Sequence, residues 1–154
     1  AKGEEPADTI TVSGKVTIAT NLDGTAGTAG IVGINVATAD KSIVATSASD
    51  GTFTIEVPAG TTELVVYGDT TVDRTVTLSG TASVSDVVIP INVCDYVKDT
   101  GIDLSDKAIF LSALGGNYNV YCDLIADGTV DLSDKAQFMA FLGKDIVYAP
   151  LALD

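Results

Sequence analysis

Of 154 residues, 46% are apolar and 19% charged, enough to build a core and too apolar for a disordered chain. Acids outnumber bases 21 to 8, and the net charge of −13 argues against nucleic acid and anionic membrane, which need a basic footprint, while allowing cation binding. The chain has no His and no Trp, which excludes imidazole catalysis and imidazole metal ligation and leaves little for a flat sugar-stacking face.

Residues 1–8 read as a polar, Pro-containing tail without the character of a signal peptide. No apolar run reaches the roughly 18–20 residues of a membrane span. Residues 9–91 hold short runs of β-branched residues at period two: 9–20, 30–38, 41–46, 51–57, 62–68, 72–78 and 84–91. Turn signals separate them at Asp23-Gly24, Asp50-Gly51, Pro58-Ala59-Gly60 and Ser79-Gly80. This rhythm predicts an antiparallel β-sandwich. Val12, Gly14, Val16 and Ile18 fall on one strand face, and Ser13, Lys15 and Thr17 on the other.

Near residue 92 the rhythm changes. Segments 107–115 and 135–143 carry apolar residues at helical spacing, and each ends in Gly. Residues 93–116 and 121–144 align without a gap at a period of 28, with half of the positions identical. Such a repeat predicts one structural unit facing its copy. Phe110 with Leu114, and Phe138 with Leu142, lie four apart and supply an inner stripe.

Within each copy the aspartates recur at offsets 1, 5, 9 and 12: Asp95, Asp99, Asp103 and Asp106, then Asp123, Asp127, Asp131 and Asp134. This is the spacing of an EF-hand-type loop, which wraps calcium, a hard cation that takes six to eight oxygens. Position 7 supplies a backbone carbonyl, here Gly101 and Thr129. The expected cofactor is two calcium ions. Position 8 is apolar, Ile102 and Val130, as expected where two loops pair by a short β-bridge. Asp103 and Asp131 double as helix N-cap candidates. Position 3 is Val97 and Ile125, without a side-chain oxygen, and position 6 is Gly128 in the second loop but Thr100 in the first. A β-branched residue at a positive-φ position predicts a more distorted first loop. Without an ion the crowded carboxylates repel one another, so a chelator is expected to unfold residues 92–144 and to spare the sandwich.

No helix signal precedes either loop. The upstream run VVIPINVC is strand-like, which sets the chain apart from calmodulin-type sensors. The duplicated loop–helix over residues 92–144 resembles a dockerin, the module by which cellulosome subunits plug into cohesin domains. Val at position 3 and Leu at position 10 of DYVKDTGIDLSD are more similar to type II dockerins than to type I. VSGKV, TSASDGTFTIEVPAG and VDRTVTLSG followed by IPI resemble the X-module that precedes type II dockerins at the end of scaffoldins.

The resemblance implies a two-domain fold. An all-β, immunoglobulin-like or prealbumin-like sandwich, the X-module, spans 9–91. A small all-α dockerin with two calcium loop–helix repeats spans 92–146, and a C-terminal tail spans 147–154. It further implies a non-catalytic, calcium-dependent module that binds a cohesin, type II-like, within an extracellular complex at a bacterial cell surface. The X-module is expected to pack on the dockerin in cis. The cohesin-binding positions carried over are Leu104, Ser105, Ala108, Leu111 and Ser112 in the first copy, and Leu132, Ser133, Ala136, Met139 and Ala140 in the second. Read from the residues alone, Leu111 and Met139 fit either an interface or the core. Other readings are a calcium-binding adhesion fragment of a cell-surface protein and an accessory region of an extracellular polysaccharide-degrading enzyme. Cys94 and Cys122, at the same place in both copies, fit either a disulfide or two buried thiols. Residues 145–154 either fold back through Tyr148 and Leu151 or fray.

Overall fold

The structure, a computed structural model, describes residues 8–99 and 101–153. Residues 1–7 of the expected tail, and Thr100, on which the expected distortion of the first loop rests, lie outside them. Seven strands coincide with the seven β-branched runs, β4 passing the end of its run by one residue: β1 (Thr9–Ile18), β2 (Asn35–Thr38), β3 (Val44–Thr46), β4 (Thr52–Pro58), β5 (Glu63–Tyr67), β6 (Arg74–Thr77) and β7 (Val84–Ile91). They form a sheet ordered β4-β1-β7 and a sheet ordered β3-β2-β5-β6. Period-two alternation decides the inner faces. Phe53, Ile55 and Val57 of β4 are buried between exposed neighbours, and Val12, Val16 and Ile18 of β1 are buried in the same core.

The sandwich is not wholly antiparallel. β7 runs parallel to β1, from Val12↔Val84 to Ile18↔Ile91, with a register shift between Val12 and Gly14. Lying beside β1 in the same direction, β7 delivers the chain to the repeat at the end of the sandwich where β1 finishes.

The expectation of a separate all-α domain is overturned. The chain is mostly β, and its two helices, α1 (Leu104–Leu114) and α2 (Leu132–Phe141), have only 11 and 10 residues. The same repeat also contributes a two-stranded sheet, β8 (Gly101–Ile102) with β9 (Lys144–Asp145). The physical reason is length. Each 28-residue repeat gives twelve residues to its aspartate loop, which leaves about three helical turns, too few to enclose a core. The helices instead complete a core that runs without a break from Val12 and Ile89 through Val93 and Cys94 to Phe110 and Phe138. The two Phe rings stack with centroids 4.8 Å apart, and Tyr96 stacks on Phe138 at 6.2 Å. Among the described residues no helix is long and apolar enough to cross a membrane.

The C-terminal residues fold back as a strap over the sandwich. The Thr77 amide donates to the Leu151 carbonyl, and the Leu153 amide to the Thr77 carbonyl, which covers the edge of β6. Tyr148 stacks under the Arg74 guanidinium at 4.8 Å, and its hydroxyl accepts from the Asn92 amide at 3.0 Å. Arg74 is buried and donates to the carbonyls of Gly24 (2.7 Å), Ala149 (2.9 Å) and Pro90. One side chain thus joins the β1–β2 connection, the approach to the repeat and the strap. Replacing it, Arg74→Met, strands three carbonyls and should lower stability by about 3 kcal/mol or more. A loss below about 1 kcal/mol in urea denaturation would remove Arg74 from that role.

Two acidic triads, each at the foot of an exposed helix

The first loop begins where β7 ends. The Asp95 amide donates to the Thr70 carbonyl at 3.0 Å, which fixes the start of the loop against the β5–β6 turn. Asp95, Asp99 and Asp106 then converge, each offering a carboxylate oxygen within 4.8 Å of the others. Asp123, Asp127 and Asp134 do the same in the second loop. Asp103 and Asp131 stand outside these triads as N-caps. The Asp103 carboxylate accepts from the Ser105 and Asp106 amides while the Asp106 carboxylate accepts from the Asp103 backbone amide, and the second copy repeats this reciprocal box with Asp131 and Asp134.

Position 12 is organised by position 3. The Val97 amide donates to Asp106 Oδ1 at 2.8 Å and the Asp103 amide to Asp106 Oδ2 at 2.9 Å. Their counterparts, the Ile125 and Asp131 amides, donate to Asp134 at 2.9 and 2.8 Å. Position 3 therefore contributes through its backbone, which explains why an apolar side chain is tolerated there. The Asp99 amide donates to Asp95 and the Asp127 amide to Asp123, both at 3.2 Å. Gly128 adopts φ +89°, as position 6 requires, and Ala126 beside it is also left-handed at +59°. Left-handed backbone thus occurs at positions 4 and 6 of the second loop. Gly101, at position 7, lies in β8, where an added Cβ would come within 2.9 Å of Asp145 Oδ1. Thr129, its counterpart, donates its hydroxyl to Asp127 at 3.2 Å.

The pairing of position 8 differs from expectation. Ile102 does not bridge to Val130. It pairs with Lys144, and Gly101 with Asp145, so the strap rather than the second loop covers the first. The chain leaving α2 reaches β8 directly, and the Gly143 amide donates to the Ile102 carbonyl at 2.6 Å.

Asp106, Asp123 and Asp134 are buried, and among the described residues no Lys or Arg ion pair reaches them. Burial is the main cause raising the Asp106 and Asp134 carboxyls above the ordinary range, with the neighbouring aspartates adding to it and the backbone amides opposing it. Desolvation raises Asp99 too, followed by the Asp103 carboxyl beside it. Asp103 and Asp131 are lowered, chiefly by the hydroxyls of Ser105 and Ser133. Buried carboxylates without a cationic side chain fit a site for a metal cation, since such groups are paired or coordinate metals. Oxygen-only donors suit a hard ion.

The helix faces are open. All ten residues carried over as partner-binding are exposed, with Leu104 and Leu132 each at 73%. Leu111 and Met139, which the sequence left between core and interface, are 41% and 40% exposed. Phe110 and Phe138 take the inner stripe, while Leu114 and Leu142 are only half-buried. Cys94 and Cys122 are buried free thiols, and burial raises both above their ordinary pKa.

Sequence reasoning missed Tyr118, whose hydroxyl donates to Asp123 Oδ2 at 2.8 Å, and the reach of Lys98, whose ammonium donates to the Gly68 carbonyl at 2.8 Å and to Asp73 at 3.2 Å. Tyr118 lies before the repeat's register, and neither of Lys98's partners is near it in sequence.

No protein-family model matches the chain, and no curated protein does. Among solved structures it is similar to a C-terminal interface mutant of the type II cohesin–X-dockerin complex from Acetivibrio cellulolyticus, at 25% identity and a TM-score of 0.64, covering 89% of this chain and 97% of that one. An N-terminal interface mutant of that complex matches at 22% identity and a TM-score of 0.62 with the same coverage. The β-sandwich leading into two aspartate loop–helix repeats is therefore an X-module–dockerin-like fold.

Proposed function

We propose that this chain is a calcium-dependent adhesion module that binds a cohesin domain and performs no catalysis. One observation carries the reading: each acidic triad sits at the N-terminus of a helix whose outer face is exposed and apolar. An ion in each triad neutralises the converging carboxylates and fixes the helix relative to its loop, so metal binding becomes part of the folding free energy. Asp95, Asp99 and Asp106, and Asp123, Asp127 and Asp134, would hold the ions, with the carbonyls of Gly101 and Thr129 at position 7. Residues 92–146 form the docking segment, and residues 9–91 support it in cis. That support is carried by the bonds from Asp95, Lys98 and Tyr148 to the sandwich and its exit, by Tyr121 hydroxyl to Val32 carbonyl at 2.9 Å, and by Gln137 Nε2 to Thr20 carbonyl at 2.8 Å.

The setting is an extracellular complex at a bacterial cell surface, and the partner is a type II cohesin, as the apolar residues at positions 3 and 10 suggest. A pull-down with type I, type II and type III cohesins, each with calcium and with EDTA, tests this. Capture by type II alone, and only with calcium, is the expected result. Capture by none, or capture indifferent to EDTA, sinks the reading.

A further inference from the structure

We propose that the two ion sites, taken as calcium sites on the reading above, are braced by different parts of the chain. The sandwich and the C-terminal strap hold the first, and Tyr118 holds the second. The repeat predicts equivalent sites. What surrounds them is not equivalent.

The first loop is anchored from both ends. The Asp95 amide and the Lys98 ammonium donate to the Thr70 and Gly68 carbonyls of the β5–β6 turn. Farther along, Gly101 and Ile102 pair with Asp145 and Lys144. From there the strap continues through the Ala149 amide on the Asp23 carbonyl (2.8 Å) to Leu151 and Leu153 on Thr77. Hydrogen bonds spaced along the strap thus tie β8, inside the first ion loop, to the β1–β2 connection and to β6, an edge of the sandwich. An ion that orders Asp95, Asp99 and Asp106 orders β8, and so favours the closed strap. By linkage, the closed strap favours the ion.

The second loop lacks these ties. Among the described residues, the hydrogen bonds of residues 123–134 stay within the second repeat and the turn before it. Tyr121 and Gln137 do reach the sandwich, but from either side of the loop. In place of a strand, the position-1 carboxylate receives the Tyr118 hydroxyl at 2.8 Å. Counting back 28 residues from Tyr118 gives Pro90, which has no side-chain donor. Tyr118 is therefore a positioning residue particular to the second site. It fixes the orientation of Asp123 as outer-shell partners of metal ligands do.

The test uses the full chain, calcium titration calorimetry and hydrogen exchange at the Thr77 and Leu153 amides. Asp127→Ala leaves the first site, and Asp99→Ala leaves the second. Calcium should slow exchange at Thr77 and Leu153 by tenfold or more in the wild type and in Asp127→Ala, and leave it unchanged in Asp99→Ala. Tyr118→Phe should weaken one calcium step by about tenfold, and that step should be the one Asp127→Ala abolishes. A merely structural Tyr118 would shift melting and move both steps alike. Two bound ions with no protection of the strap, equal protection in both Asp variants, or an unselective Tyr118→Phe would each overturn the proposal while leaving the calcium reading intact. Failure of the wild type to bind calcium at all would overturn both.

Discussion

Excess EDTA added to the calcium-loaded chain should lower its melting temperature by roughly 15–30 °C. A ligand at a thousandfold its dissociation constant stabilises a protein by about 4 kcal/mol per site, or about 8 kcal/mol for two. A chain of this size shifts by about 2–4 °C per kcal/mol. The structural cause is the burial of Asp106, Asp123 and Asp134, which no Lys or Arg ion pair reaches among the described residues. The sequence alone suggested that a chelator would unfold residues 92–144 and spare the sandwich. The continuous core from Ile89 to Phe138, with the strap laid along β6, argues instead for one cooperative transition. Calorimetry decides between one shifted peak and two peaks, and an unshifted peak in EDTA would remove calcium from the stability of the fold. The pH dependence has a definite sign. Asp106 and Asp134 are raised by burial from an ordinary 3.8, so the chelated fold is penalised once pH rises through their folded values and relieved below about 4. Protons also compete with the ion. The gap between loaded and chelated melting temperatures should therefore close as pH falls from about 7 toward 4.

What the sequence made legible follows from periodicity. Strands such as β4, with Phe53, Ile55 and Val57 inward, and helix starts such as Asp103 with Asp106 are local patterns, and local patterns survive folding. The triads were legible because two copies share one register. The parallel placement of β7 beside β1 was not, because strand order depends on the path of the whole chain. The all-α expectation for the second unit failed for a related reason: two helices of 11 and 10 residues cannot close a core, and the surface that completes it comes from the sandwich. Arg74 shows the same limit. Its partners Gly24, Pro90 and Ala149 are far apart in sequence, so nothing local marks it as a junction.

 The strap's β9 pairing was hidden for the same reason, since Gly101 and Asp145 lie on opposite sides of both helices.

Charging the exposed first turn of both helices should abolish cohesin binding and leave the fold intact. Leu104 and Leu132 are each 73% exposed, so Leu104→Asp and Leu132→Asp remove little burial, and each should change stability by less than about 0.5 kcal/mol. An acid in the first turn also suits the helix dipole. At an interface the same change is severe. A leucine buried against a partner contributes about 1.5–3 kcal/mol, and a carboxylate in its place must be desolvated as well. Each single variant should weaken binding to a type II cohesin by about tenfold to a hundredfold if its helix docks, and the double variant by about a thousandfold if both helices dock. Titration calorimetry with calcium present reads the affinity, and melting temperature reports the fold. Loss in one single variant alone identifies the helix that docks, because the two faces share Leu104/Leu132, Ser105/Ser133 and Ala108/Ala136 but differ at Leu111 against Met139, Ser112 against Ala140 and Ile109 against Gln137. Gln137 already donates to Thr20 of the sandwich, whereas Ile109 stays exposed, so the first helix offers the broader apolar face and Leu104→Asp should be the more damaging single change. A double variant that binds as tightly as the wild type would show that the cohesin meets some other surface.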